Sequence, residues 1–199
     1  MRIWHSDQNL LKPSASMRSG SVTLEFIVSV PIVFILLLGI VTFWFYCLAQ
    51  FAATSSLIEG TRQATLVQSS GLVFDSVGAE NDRVDTIVAT LNEQLRVHRL
   101  EIADEANGFT DHSDLANVTI VVEFFQQTPI VRPVDAQFVP ERTTPPPADA
   151  NDVVITLGFY LTENNDSIKS CGPVPNWLAP IGFDLEGSHF QMTTRGRLE

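Results

Sequence analysis

Residues 26–49 read FIVSVPIVFILLLGIVTFWFYCLA, about 24 residues without a charged side chain. A helix of that length reaches about 36 Å, more than the hydrocarbon core of a bilayer at about 30 Å. Glu25 stands immediately before the run, and the next charge is Glu59. Trp44 and Tyr46 lie near its far end, and amphipathic rings favour the membrane–water boundary. Pro31 falls inside it, which membrane helices tolerate with local adjustment. A secretory signal has a shorter apolar core, about 7–15 residues, ending at a small-residue cleavage site. The aromatic stretch Phe43–Cys47 is a poor site of that kind, so the run reads as an anchor.

The flanks set its direction. Residues 1–20 carry Arg2, Lys12 and Arg18 against one acid, Asp7. Residues 60–199 carry nine basic and twenty acidic side chains. Basic flanks stay on the cytoplasmic side, which puts the N-terminus inside and residues from about 60 onward outside. Over the whole chain of 199 residues the net charge is −11, with 45% hydrophobic and 18% charged residues. That composition excludes wholesale disorder. It also offers no basic footprint for nucleic acid. The length suits a membrane segment followed by one small domain.

Just ahead of the run comes Arg18-Ser19-Gly20-Ser21-Val22-Thr23-Leu24-Glu25-Phe26. An ionised carboxylate at the mouth of an apolar span is costly unless paired. A cut after Gly20 would place a new amine on Ser21, four residues before Glu25. Positions i and i+4 share a helix face, and a helix N-terminus favours a nearby anion. Glu25 could then neutralise its own amine or that of a neighbouring subunit.

With these residues the sequence resembles type IV prepilins, and more closely the TadE-like family of the tight-adherence (Tad/Flp) pilus system. Gly20, Glu25 and Phe26 match the processing motif G-x-x-x-x-E-F, and Pro31 keeps the family register. Leu36-Leu37-Leu38-Gly39-Ile40 matches its leucine run ending in glycine, and Glu59-Gly60-Thr61-Arg62 its E-G-A-R stretch. Thr42 stands where an acid often follows the Gly-Ile pair. The resemblance implies cleavage by a prepilin peptidase between Gly20 and Ser21. It implies partners among other pilin or pseudopilin subunits and the Tad assembly platform. It also implies a single-pass protein of the bacterial inner membrane, in contact with the lipid bilayer, whose C-terminal domain is exported to the periplasm or cell surface.

The expected organisation is a leader at 1–20, a helix with extension at 21–68, and an exported domain at 69–199. Gln68-Ser69-Ser70-Gly71 offers a helix end, with Gly71 after the last turn. A second helix is predicted over about Glu80–Glu101, from the spacing of Val84, Ile87, Val88, Leu91, Leu95 and His98. Strands are predicted at Asn117–Phe125, at Val153–Leu161 and around His189–Thr194, with Phe190 and Met192 inward. Between the first two, residues 129–149 hold Pro129, Pro133, Pro140 and Pro145-Pro146-Pro147 and read as an exposed loop. Cys171–Trp177 reads as an irregular turn anchored by Trp177. The fold class is therefore α+β and pilin-like: a long N-terminal transmembrane helix, then a helix on an antiparallel sheet of about three strands.

No metal cluster, phosphate loop or nucleophile motif appears. The segment Ala103–Asp114 fails as a calcium loop, because Ala103 occupies the first ligand position. No enzyme activity, cofactor, metal site or nucleic-acid partner is expected. Cys47 and Cys171 are too few for a disulfide framework. The favoured reading is a TadE-like minor pilin or pseudopilin in Tad/Flp pilus or secretion-machine assembly. The alternatives are an uncleaved signal-anchored accessory protein and a binding module whose proline-rich loop recruits a partner.

Overall fold

The computed structural model describes residues 16–69, 79–102, 116–133, 136, 138–162 and 172–197. Its first element, α1 (Ser16–Ser69), is a continuous α-helix that runs through Pro31. Two compact units divide the chain at Ile40 and Val41. In the first, residues 22–37 are exposed or nearly so, including Phe26 at 67%. Among the described residues of that unit, none is fully buried. The expected helix end at Gly71 and the acidic segment 103–114 lie outside the described residues, as does Cys171.

The second unit builds its core on the rest of α1. A stripe of small residues, Ala49, Ala52, Ala53, Ser56, Gly60, Thr61 and Ala64, recurs at helical spacing and is buried together with Leu57. The buried hydroxyls are satisfied within the helix: Ser56 Oγ donates to the Ala53 carbonyl at 3.0 Å and Thr61 Oγ1 to the Leu57 carbonyl at 2.6 Å. This lets polar residues line a core without an orphaned donor.

A sheet forms from three long strands, β2 (Ala116–Phe124), β4 (Asp152–Tyr160) and β5 (His189–Arg197), paired antiparallel in that order. Their register aligns Val118 with Phe159 and Phe190, and Ile120 with Leu157 and Met192. Alternation does the rest: Val118, Ile120, Val122, Phe124, Val153, Ile155, Leu157 and Phe159 all enter one hydrophobic core. Two short strands complete the edge of β2. They are β1 (Leu100–Glu101), parallel to its start, and β3 (Ile130–Arg132), antiparallel to its middle. The α+β class and the three long strands agree with the sequence, with two short strands added.

The second helix, α2 (Ala79–Leu95), stops earlier than its periodicity implies. Val84, Ile87, Val88, Leu91 and Leu95 are buried as expected. A short 3-10 turn, Arg96–His98, then leads to Arg99 in the left-handed region at φ 62°. The reason is burial beyond the turn, where Leu100 and Ile102 are both fully covered. Asn92 holds this arrangement. Its amide donates to the Ile102 carbonyl at 2.9 Å, and its side-chain oxygen accepts from the Ile102 N–H at 2.8 Å. Arg96 and Glu101 add an ion pair across the turn. Helical spacing through His98 thus gives way to a strand that fills the core.

In the stretch 129–149, residues such as Pro129, Pro145 and Pro146 are exposed, while others pack on the sheet. The stretch contains β3, and Pro140 is buried against the face of β4 opposite the core. At Gly158 an added Cβ would lie 2.7 Å from both Phe138 and Pro140, so the absence of a side chain admits the segment. Arg142 bonds Glu123 at 2.5 Å, and the Thr143 N–H donates to Thr193 Oγ1 at 3.0 Å. The turn after residue 171 is also anchored differently from expectation. Val174 is the buried residue, its N–H bonded to the Leu161 carbonyl at 2.9 Å, whereas Trp177 is half exposed. The Trp177 ring meets Phe45 edge-on, with centroids 6.2 Å apart.

Candidate functional site

The candidate site is linear: the stretch of α1 from the cut position through the uncharged run. Gly20 and Ser21 both lie inside α1, which starts at Ser16. Glu25, the next carboxylate along the helix, is exposed, and its backbone carbonyl accepts from Ser29 Oγ at 2.7 Å. Phe26 and Pro31 are exposed, and Gly39 is half-buried with open space where a Cβ would stand. From Val22 to Leu66 the helix is long and apolar enough to cross a membrane.

At the far end of the run the two aromatic residues differ from each other. Trp44 is exposed. Tyr46 is half-buried and packs with Phe45 against the domain core. Thr42 is buried at 8% exposure. Burial on α1 thus begins at about residue 42, inside the run 26–49.

Glu59-Gly60-Thr61-Arg62 acquires a packing role. Glu59 and Arg62 pair at 3.6 Å on the exposed side of the helix. Exposed pairs of this kind contribute little, about 0–1 kcal/mol. Gly60 and Thr61 are buried. A Cβ on Gly60 would sit 2.7 Å from Leu91 of α2, so the glycine sets how closely the two helices approach. On β5, a Cβ on Gly196 would fall 2.5 Å from the Thr61 methyl and 3.0 Å from the Thr65 methyl. These contacts, and the small-residue stripe behind them, were not singled out in the sequence. Their 3.6-residue spacing was the available signal.

Ionised groups gather on the sheet face opposite the core. Asp152 is fully buried, accepting from Arg195 and from the Ala148 N–H at 2.9 Å. The Arg195 hydrogen bond, helped by that N–H and opposed by burial, holds the Asp152 carboxyl below its ordinary value. Asp149 pairs with Arg197 at 2.7 Å beside it. This network closes the hairpin between the proline-rich segment and the sheet. Among the described residues, His, Cys, Asp and Glu side chains form no group of three or more that could hold a metal ion.

Residues 20–62 match the family model described as TadE-like protein. The matched segment opens at Gly20 and closes at Arg62, so it covers the motif, the uncharged run and the Glu59–Arg62 stretch. This is the family that the motif resembles, and the match covers that N-terminal stretch and not the domain that follows it. Comparison with curated proteins and with solved structures gives no match.

Proposed function

We propose that the protein is a TadE-like minor pilin or pseudopilin of a Tad/Flp pilus or secretion machine, cut by a prepilin peptidase between Gly20 and Ser21. The observation that carries this reading is the family match over residues 20–62, which begins at the glycine of the processing motif. The uncut chain is held in the inner membrane by residues 22–41, with the basic leader in the cytoplasm and the α+β domain exported. Cleavage takes the first turn, residues 16–20, off α1. Ser21 then becomes the helix N-terminus, whose first N–H groups lack intrahelical acceptors. Glu25 lies one turn further on, where the helix dipole and the new ammonium both favour its charge.

Release from the bilayer requires another apolar surface for the exposed face of residues 22–40. Lateral packing among other pilin helices provides one, and pairing of Glu25 with a Ser21 amine sets the register of that packing. In a site of low effective dielectric such a pair is far stronger than in water. Gly20→Leu should abolish processing by a co-expressed prepilin peptidase, seen as a full-length band on immunoblot. Unchanged processing would remove the site assignment. Glu25→Val should leave cleavage intact and lower incorporation into pili or the assembly platform; normal incorporation would refute the pairing.

A further inference from the structure

Strand β5 ends the sheet: in the order β1, β2, β4, β5 it pairs with β4 alone among the described residues. We infer that this open edge receives an extended strand from another protein chain, apolar on its side toward α1 and acidic on its other side.

The edge itself is the first observation. β4 is buried along nearly its whole length, whereas β5 is half-buried or exposed at every residue but Gly196. A strand in that position presents a row of backbone N–H and C=O groups, and proteins blunt such edges with short strands, prolines, lysines or bulges. The other side of the sheet follows that rule, with two residues in β1 and three in β3. β5 does not. It has nine residues, no proline and no lysine, and its register with β4 runs unbroken from Asp152–Arg197 to Tyr160–His189. Its arginines are engaged by the domain itself, Arg195 with Asp152 and Arg197 with Asp149.

An apolar wall beside that edge is the second observation. Thr54, Thr61 and Thr65 form the row of α1 that meets β5. The Thr54 hydroxyl donates to the Met192 sulfur at 3.5 Å, and the other two methyls stand where a Cβ on Gly196 would fall. Residues three and four apart are neighbours on a helix surface. Phe51 and Ile58 are such neighbours of Thr54 and Thr61, one row further from the buried Leu57, and are exposed at 67% and 63%. On the same side of the sheet, Phe190 and Met192 of β5 are only partly covered by the core they join. A strand laid along β5 would therefore have its backbone bonded to the edge and its alternate side chains against Phe51 and Ile58.

Charge selects the occupant. By alternation the far side of β5 carries His189, Gln191, Thr193, Arg195 and Arg197, a row without an acid. A second copy of β5 laid alongside would add two more arginines and no carboxylate of its own, and like charges across a strand pair are destabilising. A strand with acids on that side answers Arg197, whose side chain is 64% exposed. Strand addition of this kind draws its affinity from main-chain bonds and its specificity from the alternate side chains.

The test uses the full chain in detergent micelles and a fluorescent nine-residue peptide, the length of β5, with valine at alternate positions, threonine between them and aspartate at both ends. The proposal expects saturable binding by fluorescence anisotropy and slowed hydrogen exchange at the β5 amides; no binding would overturn it. Along a strand, successive N–H groups point to opposite edges. Methylating the valine nitrogens in one peptide and the threonine nitrogens in another should abolish binding of one and spare the other. Equal effects would overturn strand addition. Lysine in place of aspartate should weaken binding, and equal affinity would overturn the assigned charge. Ile58→Ser, at an exposed site, should weaken binding at least about tenfold with unchanged circular dichroism, as expected for losing one apolar contact. Undiminished affinity would show that α1 takes no part and would overturn the proposal. A dimer in sedimentation whose β5 amides are protected before peptide is added would mean that a second copy holds the edge, which also overturns it.

Discussion

Two halves of one helix obey different rules. Residues 22–40 of α1 are mostly large, apolar and exposed, whereas residues 41–66 bury one face and expose the other. Bulky exposed side chains favour an apolar medium, and the first half has the apolar composition of a membrane span. In the second half, alanine, serine, glycine and threonine face the core, and the large exposed residues Phe51, Ile58 and Leu66 lie on the other side. Small residues let the helix backbone approach the sheet closely, so that half belongs to the domain. A single hydropathy average merges the two, yet they differ in side-chain volume and in periodicity.

The contrast breaks most visibly at leucine. Leu57→Ala should destabilise the domain by about 2–5 kcal/mol, because its side chain is fully buried. Leu36→Ala, in the exposed half, should leave domain stability within about 0.5 kcal/mol of the parent. Urea unfolding of the detergent-extracted chain measures both, and equal losses would erase the distinction. Gly196→Ala comes next, at about 1–3 kcal/mol for overpacking against Thr61 and Thr65. Thr61→Ser removes the nearest methyl and should return part of that loss in the double variant. A purely additive double variant would place the clash elsewhere.

A smaller effect is the response to acid. The folded Asp152 carboxyl titrates below its ordinary value of 3.8, chiefly through the Arg195 hydrogen bond. Its stabilising contribution is therefore complete above the unfolded pKa and is lost as pH falls through the folded one. Asp152→Asn should flatten the dependence of the urea midpoint on pH below about 4, against the slope of the parent. Gly39→Ala is the smallest change. The site is open, unlike Gly60, and helix propensity favours alanine by up to about 1 kcal/mol. Domain unfolding should not register it, and a measurable shift would tie residue 39 to the folded domain.

The legibility of the fold follows the strength of each local pattern. The uncharged run, the second helix and the alternating strands were readable because each carries a period that burial preserves. Val118 to Phe124 and Val153 to Phe159 keep their alternation in the core. The end of α2 was not readable, since His98 continues the helical spacing while Leu100 and Ile102 satisfy a strand. Only the tertiary clamp by Asn92 decides between them. Packing of Phe138 and Pro140 over Gly158 was equally hidden, because proline content reports backbone stiffness and not what lies beneath it. At the site, Gly20, Glu25 and Phe26 form a motif at the start of the run, and the family match begins at the first of them. The split of α1 near residue 41 was not, because small residues such as Ala49 and Ala52 are apolar enough to look like more membrane helix.

The proposed cut gives Ser21 a free amine one helical turn before Glu25. Intact mass of the protein extracted from membranes of cells with an active prepilin peptidase tests for it. Loss of residues 1–20, leaving a chain that starts at Ser21, is the expected result; a chain still carrying Met1 in those cells would contradict it.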